Sequence, residues 1–154
     1  MKKENFISFG RPNLGSEENR KIKSVLKSNW IGTGPLVHQF EKNFSKYKNI
    51  NYAKSLNSCT AALHLSLLSL KLKKDDEVIT TPLTFAATIN SIILSGAKPV
   101  LVDIRKDTFN INEKLIENSI TKKTKVILVA HFGGVPCDMD PIVKIAKKYK
   151  LKII

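Results

Sequence analysis

Residues 57–62 (NSCTAA) bring small and hydroxylated side chains to the expected start of a helix, a combination suited to holding a phosphate. Unpaired N–H groups at a helix N-terminus and the helix dipole favour an anion, small side chains let it approach the backbone, and Ser58 and Thr60 add hydroxyl donors. Ser58, Cys59, Thr60 and Ala61 are therefore candidate anion ligands. Asn, Ser and Thr are also the ordinary N-cap residues, and on local grounds alone a plain capped helix is the favoured reading. A helix start can lower a thiol pKa, but without a partner base Cys59 reads as a small residue beside the anion and not as a nucleophile.

Two further positions lie where strands are expected to end. In residues 80–88 (TTPLTFAAT), Phe85 begins a helix just past a strand, where a flat side chain could cover a planar ring or could equally belong to the core. In residues 130–134 (AHFGG), His131 follows an apolar strand and could bond a ligand or tie down its own loop. The remaining signatures exclude common chemistries. There is no GxxxxGK phosphate loop, HExxH or GxSxG, and Gly32-Thr33-Gly34 lacks the third glycine and the preceding strand of a dinucleotide fingerprint. His64 lies on a helix, residues 60–70, that is apolar nearly all round and expected to be buried, so it reads as a core histidine.

The elements that must position these residues alternate in a regular way. A first helix is expected over residues 16–27, a Gly- and Pro-broken loop over 28–35, and a second helix carrying Val37, Phe40, Phe44 and Tyr47 on one face. From residue 52 onward, extended runs at 52–56, 77–80, 99–102 and 125–130 alternate with helices at 60–70, 85–94, 112–119 and 141–150. That order predicts an α/β fold with a mainly parallel sheet and helices on both faces. Residues 1–50 are expected to form an N-terminal helical segment and loop, and 51–154 a partial α/β domain. Residues 151–154 (LKII) open like another strand and stop in mid-run, which predicts truncation.

Composition sets the outer limits. With 42% apolar and 25% charged residues in 154, the chain can build a core and is not expected to be disordered. No run approaches the roughly 20 apolar residues of a membrane helix, and residues 1–8 (MKKENFIS) lack the apolar centre of a secretory signal, so a cytoplasmic location is expected. Cys59 and Cys137 show no metal-binding or disulfide spacing and are expected to be reduced thiols. The net charge of +13 invites a nucleic-acid reading. Against it, the charge is almost all lysine, with arginine only at Arg11, Arg20 and Arg105, and it is scattered over expected helix ends and loops.

Several separated stretches agree with one family. Residues 29–35 (NWIGTGP), 40–41 (FE), 57–65 (NSCTAALHL), 75–88 (DDEVITTPLTFAAT), 96–103 (GAKPVLVD), Ile116-Glu117 with Ile120-Thr121, and 131–140 (HFGGVPCDMD) resemble, in order and spacing, the DegT/StrS-type sugar aminotransferases. The resemblance implies the N-terminal portion of the large domain of the fold-type-I fold and pyridoxal 5′-phosphate as cofactor. It implies that Ser58, Cys59, Thr60 and Ala61 hold the cofactor phosphate, that Phe85 stacks on its ring and that His131 belongs to the same site. It places Thr33 and Gly34 near the substrate entrance. Cys59 departs from the glycine frequent at its position.

The same resemblance implies transfer of an amino group from glutamate to a nucleotide-linked keto-sugar in polysaccharide or related glycan synthesis, by a homodimer without nucleic-acid or membrane partners. The aspartate that keeps the pyridine nitrogen protonated and the lysine that anchors the cofactor are expected beyond Ile154, so the chain alone is expected to be inactive. No catalytic residue is assigned within it. A dehydratase of the same family, in which the lysine is replaced, and a noncatalytic basic module that binds phosphate or nucleic acid are the rival readings. The chain should be indifferent to duplex DNA at physiological ionic strength, and salt-sensitive binding in a gel-shift titration would favour the basic module instead.

Overall fold

The computed structural model describes residues 10–154, and residues 1–8, read as lacking the apolar centre of a secretory signal, lie outside them. The chain forms two compact units, divided between Ser55 and Leu56. Among the described residues no helix is long and apolar enough to cross a membrane.

The first unit contains helices α1 (Ser16–Lys27) and α2 (Pro35–Lys48). Gly15 is the N-cap of helix α1, and its amide donates to the Glu18 carboxylate at 2.7 Å, so an acidic side chain of the first turn closes the helix start. Pro35 occupies the first turn of α2, where its missing N–H costs nothing, and Asn49 ends the helix in the left-handed conformation at φ 52°. Residues 52–56, expected as a strand, join no sheet among the described residues. An extended run becomes a strand only with a partner edge, and here Glu41 takes the polar groups of this segment. Its carboxylate accepts from Lys54 Nζ at 2.9 Å and from the Ser55 amide at 3.0 Å and hydroxyl at 3.2 Å.

The second unit is built on strands β1 (Glu77–Thr80), β2 (Lys98–Leu101), β3 (Thr124–Ile127) and β4 (Lys152–Ile153). All pair in parallel, in the order β2-β1-β3-β4, as the alternating sequence predicts. Helices α3 (Cys59–Ser69) and α4 (Ala86–Leu94) cover one face. There Leu67, Ile92 and Ala97 pack with Val78, Val126 and Leu128. The short α5 (Glu113–Ile116) and α6 (Met139–Tyr149) cover the other, where Ile116, Ile142 and Ala146 pack with Ile79 and Ile127. Strand residues alternate between the two clusters, as a sheet buried on both faces requires. A single turn of 3₁₀ helix, Glu117–Ser119, replaces the second half of the helix expected over 112–119.

Helix α3 departs from its expected burial. Only Leu67 is fully buried, while Leu65 and Leu68 remain about half exposed on the side turned away from the sheet. Its all-round apolar character therefore exceeds what this sheet face covers.

The Lys54 ammonium, with the Ser55 amide and hydroxyl, holds the Glu41 carboxyl at about 2, against an ordinary value of 4.5. A depressed folded-state value means that the ionised form stabilises the fold above about 4.5, and that this contribution is lost as the pH falls toward about 2. Trp30, the single tryptophan, reports on the first unit. Its fluorescence in urea titrations should show the wild type losing more stability through that window than Glu41→Gln; parallel pH profiles would contradict the clamp.

Candidate functional site

The path of the chain explains why candidate residues gather at one end of the sheet. From β1 the chain passes through α4 on one face to β2, then returns through α5 on the opposite face to β3, and continues through α6 to β4. The connections reverse direction between β1 and β3, so the loops leaving these neighbouring strands diverge toward opposite faces. A crevice opens between such loops at the carboxyl ends of the strands, where open α/β sheets bind ligands. The loop after β1 carries Phe85, and the loop after β3 carries His131.

Helix α3 adds its N-terminus to the same end. Its last residues return through a tight turn, in which the Asp76 amide donates to Lys73 O at 3.0 Å and the Lys73 amide to the Asp76 carboxylate at 2.7 Å, directly into β1. The C-terminus of α3 therefore lies at the amino ends of the strands. Leu63, Leu67 and Leu70 run along the cluster shared with Val78, which carries the helix start toward the carboxyl ends.

At that start, Ser58 is the N-cap, and its hydroxyl accepts from the Ala61 amide at 3.2 Å. The capping interaction read from the sequence is thus present and occupies Ser58 Oγ and Ala61 N–H. The amides of Cys59 and Thr60 have no partner among the described residues, because the residues four positions earlier precede the helix. Cys59 and Thr60 are both exposed, and Cys59 is a free thiol. Two unspent amides and one exposed hydroxyl therefore project from a helix N-terminus.

Phe85 caps α4 in an extended conformation, with 79% of its surface exposed. A phenylalanine in the core is excluded by that exposure. Beneath it, Thr84 Oγ1 and Thr88 Oγ1 lie 2.9 Å apart and stitch the first turn of α4. Thr80, the last residue of β1, is fully buried, and its hydroxyl has no partner.

His131 is exposed, and its Nδ1 accepts from the Cys137 amide at 3.1 Å. The ring proton then resides on Nε2, which points away from this bond as a donor. Gly133 at φ 59° and Gly134 at φ 85° supply the left-handed turn that closes the loop. Buried Cys137 donates to Ala130 O at 3.3 Å, and burial pushes its thiol pKa up.

Thr33 and Gly34 belong to the first unit. Trp30 Nε1 donates to Thr33 O at 3.0 Å, and a Cβ on Gly34 would run into the Trp30 ring. The indole therefore closes over a loop that only glycine permits, at the N-cap of α2. Ser58–Ala61, Phe85 and His131 fall in the second unit.

The comparison with known proteins decides the lineage, since one family model matches residues 12–154. The chain belongs to the DegT/DnrJ/EryC1/StrS aminotransferase family. It is 53% identical to protein MJ1066 of Methanocaldococcus jannaschii and 42% identical to the spore coat polysaccharide biosynthesis protein SpsC of Bacillus subtilis, in each case over 100% of this chain and 40% of the relative. The solved structure of NtdA from Bacillus subtilis, with bound cofactor PMP, superposes with a TM-score of 0.85 at 39% identity, over 91% of this chain and 33% of NtdA. The α/β architecture is that of pyridoxal-phosphate aminotransferases of fold type I. This chain thus spans about 40% of the length of the curated relatives it matches.

Two residues escaped the sequence reading. Thr80 offered no signal beyond its strand, and Asn110 lies in a stretch, residues 103–112, with neither helical nor strand periodicity. Asn110 is nevertheless buried and bonds to the loop that carries His131.

Proposed function

We infer that this chain provides the non-covalent cradle for pyridoxal 5′-phosphate in an enzyme that moves an amino group from glutamate to the keto group of a nucleotide-linked sugar. The product would enter polysaccharide or related glycan synthesis in the cytoplasm, and the whole enzyme would work as a homodimer. The observation that carries this reading is the pair of unspent amides at Cys59 and Thr60, beside the exposed Thr60 hydroxyl, at the same end of the sheet as the exposed ring of Phe85. Hydrogen-bond donors at a helix N-terminus suit a phosphate, and an uncovered aromatic face suits a planar ring. When bound, the cofactor supplies an electron sink that lets an amino group pass between carbon skeletons.

Each residue has a separate task in this reading. Cys59 and Thr60 donate backbone N–H groups to the phosphate, and the Thr60 hydroxyl adds a third donor. Ser58 shapes the turn by holding the Ala61 amide, which leaves the two preceding amides pointing outward. Phe85 lies against the ring and excludes water from it. The presence of Cys59 where glycine is frequent is compatible with a backbone contact, because its side chain is not needed. His131 presents its Nε2–H to the same crevice, and Thr33 and Gly34 meet the sugar substrate. No lysine of this chain is assigned to covalent attachment, so the 154-residue chain is assigned binding without turnover.

Pyridoxamine 5′-phosphate is the appropriate probe, because it cannot attach itself to surface lysines. In calorimetric titrations it should bind the chain, compete with inorganic phosphate, and bind about tenfold more weakly after Thr60→Val combined with Phe85→Ala. Failure to bind, or binding indifferent to phosphate and to both substitutions, would overturn the cradle. In a protein of the relatives' length carrying this sequence, glutamate should drive amination of a keto nucleotide-sugar. A deoxygenated, non-aminated product would replace transamination with dehydration.

A further inference from the structure

We propose that Asn110 is a positioning residue that fixes His131 as an Nε2–H donor toward an anionic oxygen of the bound ligand. The proposal rests on the reading of the crevice as a cofactor site and names a residue which that reading does not use. It begins from the complete use of one buried amide. Asn110 is 2% exposed, and its Oδ1 accepts from the Phe132 amide at 2.8 Å, while Nδ2 donates to Val135 O at 3.0 Å and to Pro136 O at 3.1 Å. Both donors and the acceptor are satisfied by one loop. Turning the amide over would set its NH₂ against an N–H and its oxygen against two carbonyls, so only one orientation is allowed.

The loop held in this way is the one that orients His131. Phe132 follows the histidine directly, and Val135 and Pro136 lead into Cys137, whose amide donates to His131 Nδ1 at 3.1 Å. The bond fixes the tautomer, and Asn110 fixes the two chain segments that must stay in register for the bond to form. The asparagine is itself anchored from outside the loop. Ile104 and Ile111 bridge in antiparallel fashion, the Arg105 amide donates to Asn110 O at 2.8 Å, and the Asn112 amide donates to Asp103 O at 2.8 Å. Arg105 adds a salt bridge to nearly buried Glu113 at 3.0 Å. Phe109, at φ 60°, holds a left-handed conformation unfavourable to a bulky residue, which places Asn110 inward and brings the Phe109 ring to 6.0 Å from that of Phe132. The small arm of residues 103–112 thus presents one side chain to the His131 loop. A neutral histidine held by Nδ1 can only donate from Nε2, which suits an anionic oxygen and excludes a proton donor at the same point.

The test reads the tautomer and the affinity separately. Long-range ¹H–¹⁵N spectra of the chain in mildly alkaline buffer should show His131 with its proton on Nε2. In Asn110→Ala, and in the isosteric Asn110→Asp, which keeps an acceptor for Phe132 but loses both donations, His131 should become a mixture of tautomers. Binding of pyridoxamine 5′-phosphate should weaken about tenfold in both. Ile116→Val, which loosens the core below the same sheet face, should alter neither signal. The proposal is overturned if either folded asparagine variant keeps the wild-type tautomer and affinity, or if the wild-type ring carries its proton on Nδ1. If the wild type fails to bind the probe, the cofactor reading falls, and the tautomer spectra still decide the role of Asn110.

Discussion

A parallel sheet whose connections reverse direction must leave a gap at the carboxyl ends of two neighbouring strands, and the rest of this molecule depends on that gap. Between β1 and β3 the chain leaves toward opposite faces, so no helix N-terminus can fill the space directly above both strands. Several groups of the second unit that are free to meet a ligand lie around that reversal. The free amides of Cys59 and Thr60, the uncovered ring of Phe85, the unpartnered hydroxyl of Thr80 and the outward Nε2 of His131 all belong to elements that begin or end there. Buried strands supply rigidity below it. Val78, Ile79, Val126 and Ile127 are each fully buried and alternate between two clusters, so neither strand can slip by one residue without exposing one set.

The division of labour in such a site is physical. Holding a phosphate needs backbone donors at fixed positions, which a short well-capped helix provides, and stacking needs one flat exposed side chain on a rigid turn. Covalent attachment and proton transfer need a lysine whose surroundings tune it. Exposed ion pairs hold some of this chain's lysines, such as Lys98 with Asp75 at 2.5 Å and Lys148 with Glu117 at 2.6 Å, and each carboxylate raises the pKa of its lysine.

Much of this arrangement was legible in the residues, and the parts that were not share one cause. Strand β1 matches its expected bounds, and α4 begins one residue after Phe85, because the apolar run, the Thr-Pro break and the following small residues all act locally. The N-cap at Ser58 was legible for the same reason. Residues 52–56 misled because strand formation depends on a partner that local sequence cannot specify. Helix α3 misled because an all-apolar helix says that something should cover it, not what does. Asn110 was invisible because its bonds reach 22 to 26 positions along the chain, and an asparagine in an irregular stretch resembles a turn residue until its partners are known.

The most direct test follows the backbone amides of the chain by NMR while pyridoxamine 5′-phosphate is added. The account predicts that the Cys59 and Thr60 amides move first and farthest, accompanied by the ring resonances of Phe85 and His131, and that inorganic phosphate reproduces the amide shifts without those of the Phe85 ring. Shifts confined to lysine-rich surface positions, with the N-terminus of α3 and the Phe85 ring unmoved, would contradict it.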